Sequence, residues 1–166
     1  IQILRHPCGH VGSVMRGQQL SKLAREIPLG FAEAAVCAQY DINQARLKNM
    51  SLIEQAAWRW VILNHMAMQD LKGNENAMTL VYEDLCSAPV EVARKLFAFA
   101  GMDWEPQTEA FLDESTHSNG SNEYHNIFRT PLQAANTWRQ ELTREEISLI
   151  THIVRDTAPG RLFTFD

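Results

Sequence analysis

The sequence predicts an α/β fold with a short parallel sheet and predominantly helical content. Two stretches read as strands, Ile1 to Leu4 and Thr79 to Tyr82, and helical patterns fill the long interval between them. That interval far exceeds a hairpin turn, so the strands are expected to run parallel through a crossover. Two strands make a poor sheet by themselves, which leads to the expectation that neighbouring strands lie upstream.

The elements follow in order. Ile1 to Leu4 is a short apolar run, followed by a turn at Arg5-His6-Pro7-Cys8-Gly9 and a helix carrying Val11, Val14 and Met15 on toward Leu23. Pro28 and Gly30 interrupt the pattern, and Phe31 to Gln39 resumes it with Ala34, Ala35 and Ala38 as small packing residues. Ser51 and Glu54 form a capping box that opens the longest helix, with Leu52, Ala56, Trp60 and Leu63 at helical spacing until Gly73. After the second strand, Ser87 as N-cap and Pro89 open a helix bearing Val92, Leu96 and Phe99, which Gly101 ends. A short helix after Pro106 is expected to bury Phe111. Between Ser115 and Asn136 the periodicity disappears, and a long functional loop is expected there. Thr143 and Glu146 then cap a last helix with Ile147, Ile150 and Val154 on one face, ended by Pro159 and Gly160.

Composition narrows the function classes. The chain has 166 residues with 45% hydrophobic content, enough for one domain with a substantial core. A formal net charge of -5 and a pI near 5.7 argue against an extended nucleic-acid surface, so any anion site is local. Cys8, Cys37 and Cys86 are odd in number and widely spaced, with no CxxC pair. They suggest neither a disulfide framework nor a zinc site and fit a reducing, cytoplasmic setting. No apolar run is long enough to span a bilayer. Because Ile1 to Leu4 already reads as a buried strand, the chain is expected to begin inside a folding unit whose upstream part is missing.

One constellation carries chemistry. Arg5 stands at the carboxyl end of the first strand, and Ser13 lies in the opening turns of the next helix. Both can reach the rim where ligands of open α/β sheets bind, and a helix start there adds N–H groups and partial positive charge. An arginine fork plus a serine hydroxyl suits a phosphomonoester. The plainer alternative is a surface ion pair with a helix cap.

Arg5-His6-Pro7-Cys8-Gly9-His10-Val11-Gly12-Ser13 resembles the R-x-P-x-x-x-V-x-S segment by which sulfotransferases hold the 3'-phosphate of 3'-phosphoadenosine 5'-phosphosulfate (PAPS), their sulfuryl donor. Tyr82-Glu83-Asp84-Leu85, with Pro89 and Phe99-Ala100-Gly101 beyond it, resembles the family's Y-E-D-L segment and following helix. Trp138-Arg139-Gln140-Glu141-Leu142-Thr143 resembles its W-x-x-x-L-[ST] segment. The resemblance implies a partial P-loop-like, three-layer sulfotransferase fold, with residues 1–166 as the C-terminal part of one domain. It implies PAPS as cofactor, Arg5 and Ser13 as 3'-phosphate ligands, and Arg129 of the long loop as a further ligand. It also implies a hydroxyl- or amine-bearing acceptor as partner. The family's glycine-rich 5'-phosphosulfate loop has no counterpart here, and its catalytic base usually precedes the Arg-Ser motif, so no catalytic residue is assigned. A G-x-x-x-x-G-K-[ST] loop is also lacking, which leaves a nucleoside or sugar kinase relative the weaker reading. The alternative function is a non-catalytic helical interaction module on the same fold.

Other residues favour structure. His6 and His10 are four apart, but Pro7 and Gly9 disfavour a helix at His6 and no third metal ligand is evident. Glu83 and Asp84, read as neighbours on a strand, would point to opposite faces. Trp60 is expected in the core and Trp138 as a packing anchor, with Trp58 left for an edge or an acceptor cleft; His65 is expected to pack or face solvent.

Overall fold

A computed structural model describes residues 1–20, 26–117 and 131–165. Strand β1 (Gln2–Leu4) pairs in parallel with β2 (Thr79–Val81), in the register Gln2↔Thr79, Ile3↔Leu80, Leu4↔Val81. Helices α1 (Pro7–Leu20), α2 (Gln44–Lys48) and α3 (Leu52–Leu71) lie between the strands in the chain. After β2 come α4 (Tyr82–Ser87), α5 (Pro89–Ala100), α6 (Pro106–His117), α7 (Pro131–Ala135), α8 (Trp138–Glu141) and α9 (Arg144–Val154). The described structure is therefore mostly helical around a short parallel pair, compatible with an α/β class.

Helix α3 is the organising element and packs on both α1 and α9. Its capping box is complete: the Glu54 amide donates to Ser51 Oγ and the Ser51 amide donates to Glu54 Oε2. Thr143 and Glu146 do the same for α9. Leu4, Val11, Trp60, Val61, Ile62, Ile150 and Val154 meet in the core, each buried. A fully buried aliphatic side chain of this kind contributes about 1.5–3 kcal/mol relative to exposure. Gly101 ends α5 at φ +66, a left-handed conformation that favours glycine.

Several expectations need correction. The helix after β1 starts at Pro7, so Gly9 lies inside it rather than in a turn. Phe31 to Gln39 forms 3-10 turns, Gly30–Glu33 and Ala35–Tyr40, rather than an α-helix. The second strand stops at Val81, and Tyr82, Glu83 and Asp84 open α4, so the two carboxylates are helical neighbours and not opposite faces of a strand. Ala88, not Ser87, is the N-cap of α5; Ser87 Oγ instead donates to the Asp84 carbonyl. Phe111 is 68% exposed, and the later part of the expected loop forms α7.

Candidate functional site

Parallel pairing ends β1 and β2 at one rim, where the chain turns into α1 and α4. Arg5 follows β1 directly and is held from several sides. Its carbonyl accepts the Trp60 Nε1 hydrogen at 3.1 Å, its Nη2 lies 3.4 Å from the Ala134 carbonyl, and its guanidinium carbon stands 5.5 Å from the centre of the Tyr82 ring. Helices α3, α4 and α7 thus fix a residue that the sequence places only at a strand end.

His6 is the N-cap of α1. Its carbonyl accepts the His10 amide at 2.9 Å, and its Nδ1 accepts the Cys8 amide at 3.3 Å. The His6 amide donates to both carboxylate oxygens of Glu83, at 3.0 and 3.1 Å. Pro7 has no N–H to offer. The helix start is therefore largely committed to internal partners, and the side chains carry more of any anion binding than the sequence suggested. Burial first, and the Arg139 charge second, push His6 down to about 4, so the ring is neutral at pH 7. It stacks on Trp138 with centroids 4.6 Å apart and planes 3° from parallel. Its Nδ1 role as a cap and its aromatic stacking define it as structural.

Gly9 and Gly12 make room for two side chains on α1. A Cβ at Gly9 would stand 3.0 Å from Arg5 Nε and 3.3 Å from Trp138 Cδ1; one at Gly12 would stand 3.5 Å from Trp138 Cβ. Arg5 Nε and Trp138 Nε1 are both buried with no hydrogen-bond partner among the described residues. In the indole ring Nε1 adjoins Cδ1, so both orphaned donors belong to groups lying against Gly9. A buried donor without an acceptor costs about 1–3 kcal/mol and is uncommon in native structures. Two of them beside one glycine mark a place short of an acceptor.

Ser13 is exposed on α1, four residues and one turn beyond Gly9, on the same helical face as the Arg5 stem. Arg5 and Ser13 are thus brought to one side of α1, with no direct hydrogen bond between them among the described residues. Arg129 lies outside the described residues. Burial first, then the Arg59 and Arg5 charges, lower the pKa of His10. Burial raises the pKa of Glu83 against the weaker pull of the His6 amide and Arg5. The four ion pairs among the described residues use neither Arg5 nor Arg59.

The remaining candidates are packed elsewhere. Trp58 tilts against Tyr40, with ring centroids 5.6 Å apart, and the Tyr40 hydroxyl lies 2.7 Å from His65 Nδ1. Trp60 is buried in the core and Trp138 between α1 and the His6 ring. Among the described residues no group of three His, Cys, Asp or Glu side chains is arranged to hold a metal ion. The orphaned Trp138 donor and the glycine pair are not legible in the sequence; the one available signal is Gly9 standing four residues before Ser13.

The described residues thus form a mostly helical α/β arrangement with an arginine directly after one strand of a parallel pair and an exposed serine on the helix that follows. The chain is related to the sulfotransferases. It is 35% identical over 71 residues to carbohydrate sulfotransferase 2 of Homo sapiens, covering 42% of this chain and 13% of that protein. It is 30% identical over 76 residues to carbohydrate sulfotransferase 5 of Mus musculus, covering 43% of this chain and 19% of the relative. With carbohydrate sulfotransferase 4 of Mus musculus the similarity is 25% over 138 residues, covering 81% of this chain and 30% of the relative. The chain thus spans less than a third of the length of each of these relatives. No family model matches the chain, and no solved structure matches it.

Proposed function

We propose that the chain is the C-terminal part of a P-loop-like sulfotransferase domain and carries its 3'-phosphate subsite, the whole protein moving a sulfuryl group from PAPS to a hydroxyl or amine. The observation that supports this most is the pair of buried donors, Arg5 Nε and Trp138 Nε1, that lie against Gly9 with no acceptor among the described residues. Phosphate oxygens are acceptors without donors at neutral pH, so a monoester fits what these groups lack. Arg5 would hold the 3'-phosphate by its guanidinium and Ser13 by its hydroxyl, and Arg129 is proposed as a further ligand on the resemblance alone.

PAPS, when bound, supplies the sulfuryl group. The residues here bind and orient its far end: Trp60 Nε1 fixes the Arg5 carbonyl, and Glu83 fixes the turn through the His6 amide. Holding a remote phosphate in register lets binding energy position the reacting end, where a misplacement of an ångström is costly. The names of the relatives point to a carbohydrate hydroxyl as acceptor, which we adopt as the proposed substrate class.

The test is calorimetric titration of the protein at its natural length with 3'-phosphoadenosine 5'-phosphate. Arg5→Ala is expected to weaken binding by about 2 kcal/mol, the range for hydrogen bonds to a charged group, and Ser13→Ala by about 1 kcal/mol. Absence of binding, or binding indifferent to both substitutions, would reject the proposal.

A further inference from the structure

A cleft of about 440 Å³ opens at the end of the sheet away from the rim, where Thr79 begins β2. That volume falls within the roughly 300–1,000 Å³ of small-molecule sites. His65, Met68, Gln69 and Lys72 stand at positions i, i+3, i+4 and i+7 of α3 and its C-cap, so one stripe of the helix forms a wall of the cleft. Met68, Leu71, Ala77 and Ala158 make part of the lining apolar, and Lys72 is its charged group.

The polar part of the lining holds one hydrogen more than its own acceptors can take. The Ala158 amide donates to Tyr40 Oη at 3.4 Å, and that oxygen lies 2.7 Å from His65 Nδ1. His65 Nε2 lies 3.4 Å from Gln69 Nε2, an amide nitrogen that cannot accept. Burial lowers the pKa of His65, so its ring is neutral at pH 7 and carries one N–H hydrogen. With that hydrogen on Nε2, Tyr40 donates to Nδ1 and the ring N–H faces the Gln69 nitrogen unmatched. With it on Nδ1, Gln69 donates to Nε2 and the phenolic hydrogen of Tyr40 is left over. Either tautomer leaves one donor without an acceptor inside the cluster. Lys72 enters none of the four ion pairs among the described residues. Its full charge exceeds the roughly half-unit negative end of the α3 dipole beside it. A ligand in this cleft gains by being negative, by accepting a hydrogen bond and by carrying an apolar body.

We propose that this cleft binds a small amphipathic carboxylate, with Lys72 meeting its charge, the Tyr40–His65 pair supplying a hydrogen bond, and Met68, Leu71, Ala77 and Ala158 covering its apolar body. One lysine and one neutral donor match a single negative charge rather than a phosphate dianion. The site does not depend on reading the rim as a 3'-phosphate subsite, since the cleft and the rim lie at opposite ends of β2.

The experiment is an NMR titration of isotope-labelled protein at its natural length with two probes, octanoate and 1-octanol, which share an apolar chain and differ in charge. Octanoate is expected to shift the amide signals of Lys72, Ala77 and Ala158 saturably, and octanol to bind about tenfold more weakly or less. Lys72→Gln, a change at an exposed residue, is expected to weaken octanoate about tenfold and to leave octanol unchanged. Ala77→Leu, which fills part of the apolar lining, is expected to weaken both probes. The proposal is overturned if octanoate gives no saturable shifts, if its shifts centre on residues away from the cleft, if octanol binds equally well, or if Lys72→Gln leaves octanoate binding intact.

Discussion

Acidification provides a sharp test of the turn that carries Arg5. His6 is buried, stacked on Trp138 and held to about 4 against an ordinary 6.5. Between these values the unfolded chain binds a proton that the folded chain refuses, so stability rises with pH across that window. The contribution is fully present above 6.5, declines as pH falls, and is lost by about pH 4. With about 1.36 kcal/mol for each pH unit between the two values, the loss amounts to about 3 kcal/mol. That is a large fraction of the stability of a small domain, about 5–15 kcal/mol.

Urea denaturation of wild-type protein and of His6→Asn at several pH values between 7 and 4 isolates the contribution. Asparagine keeps an acceptor for the Cys8 amide but cannot titrate in this range. His10 and His65 add slopes of the same sign, and Glu83, whose pKa is raised by burial, adds one of opposite sign. These remain in both proteins, so the difference between the two curves belongs to His6. Identical slopes in the two proteins, or an NMR midpoint for His6 near 6.5, would refute the reasoning that burial keeps this ring neutral.

Three glycine predictions follow from the space around each Cα. Gly12→Ala places its Cβ in ordinary contact, 3.5 Å or more from Trp138 and Leu142, and should raise stability by up to about 1 kcal/mol through helix propensity, read as a higher Tm. Gly9→Ala gains the same propensity but displaces Arg5 Nε and Trp138 Cδ1, so stability should change by under about 1 kcal/mol while affinity for 3'-phosphoadenosine 5'-phosphate falls. Gly160→Ala would set a Cβ 1.9 Å from the Val154 carbonyl oxygen, and should cost about 3 kcal/mol or more in urea denaturation because the obstacle is backbone.

Much of the helical frame was legible before any coordinates. Ser51 with Glu54 and Thr143 with Glu146 are local signals, complete within one turn, and both boxes form. Pro89 and Gly101 mark the limits of α5 for equally local reasons. The 3-10 turns from Gly30 to Tyr40 were misread because small apolar residues follow a helical period without specifying which helix they form. Phe111 was misassigned because apolarity predicts burial only where another surface exists to cover it.

The sequence by itself determined the parallel relation of the two strands, the capped helices and the position of an arginine directly after β1, because these depend on spacing and on residues within a few positions of each other. Only the tertiary structure decided that Glu83 consumes the His6 amide, that His6 caps α1 and stacks on Trp138, and that Arg5 and Trp138 lie with unsatisfied donors against Gly9. The contacts of Glu83 and Trp138 join residues 77 to 132 positions apart in the chain, where no local rule of spacing acts and the packing of α1, α4 and α8 settles which groups meet.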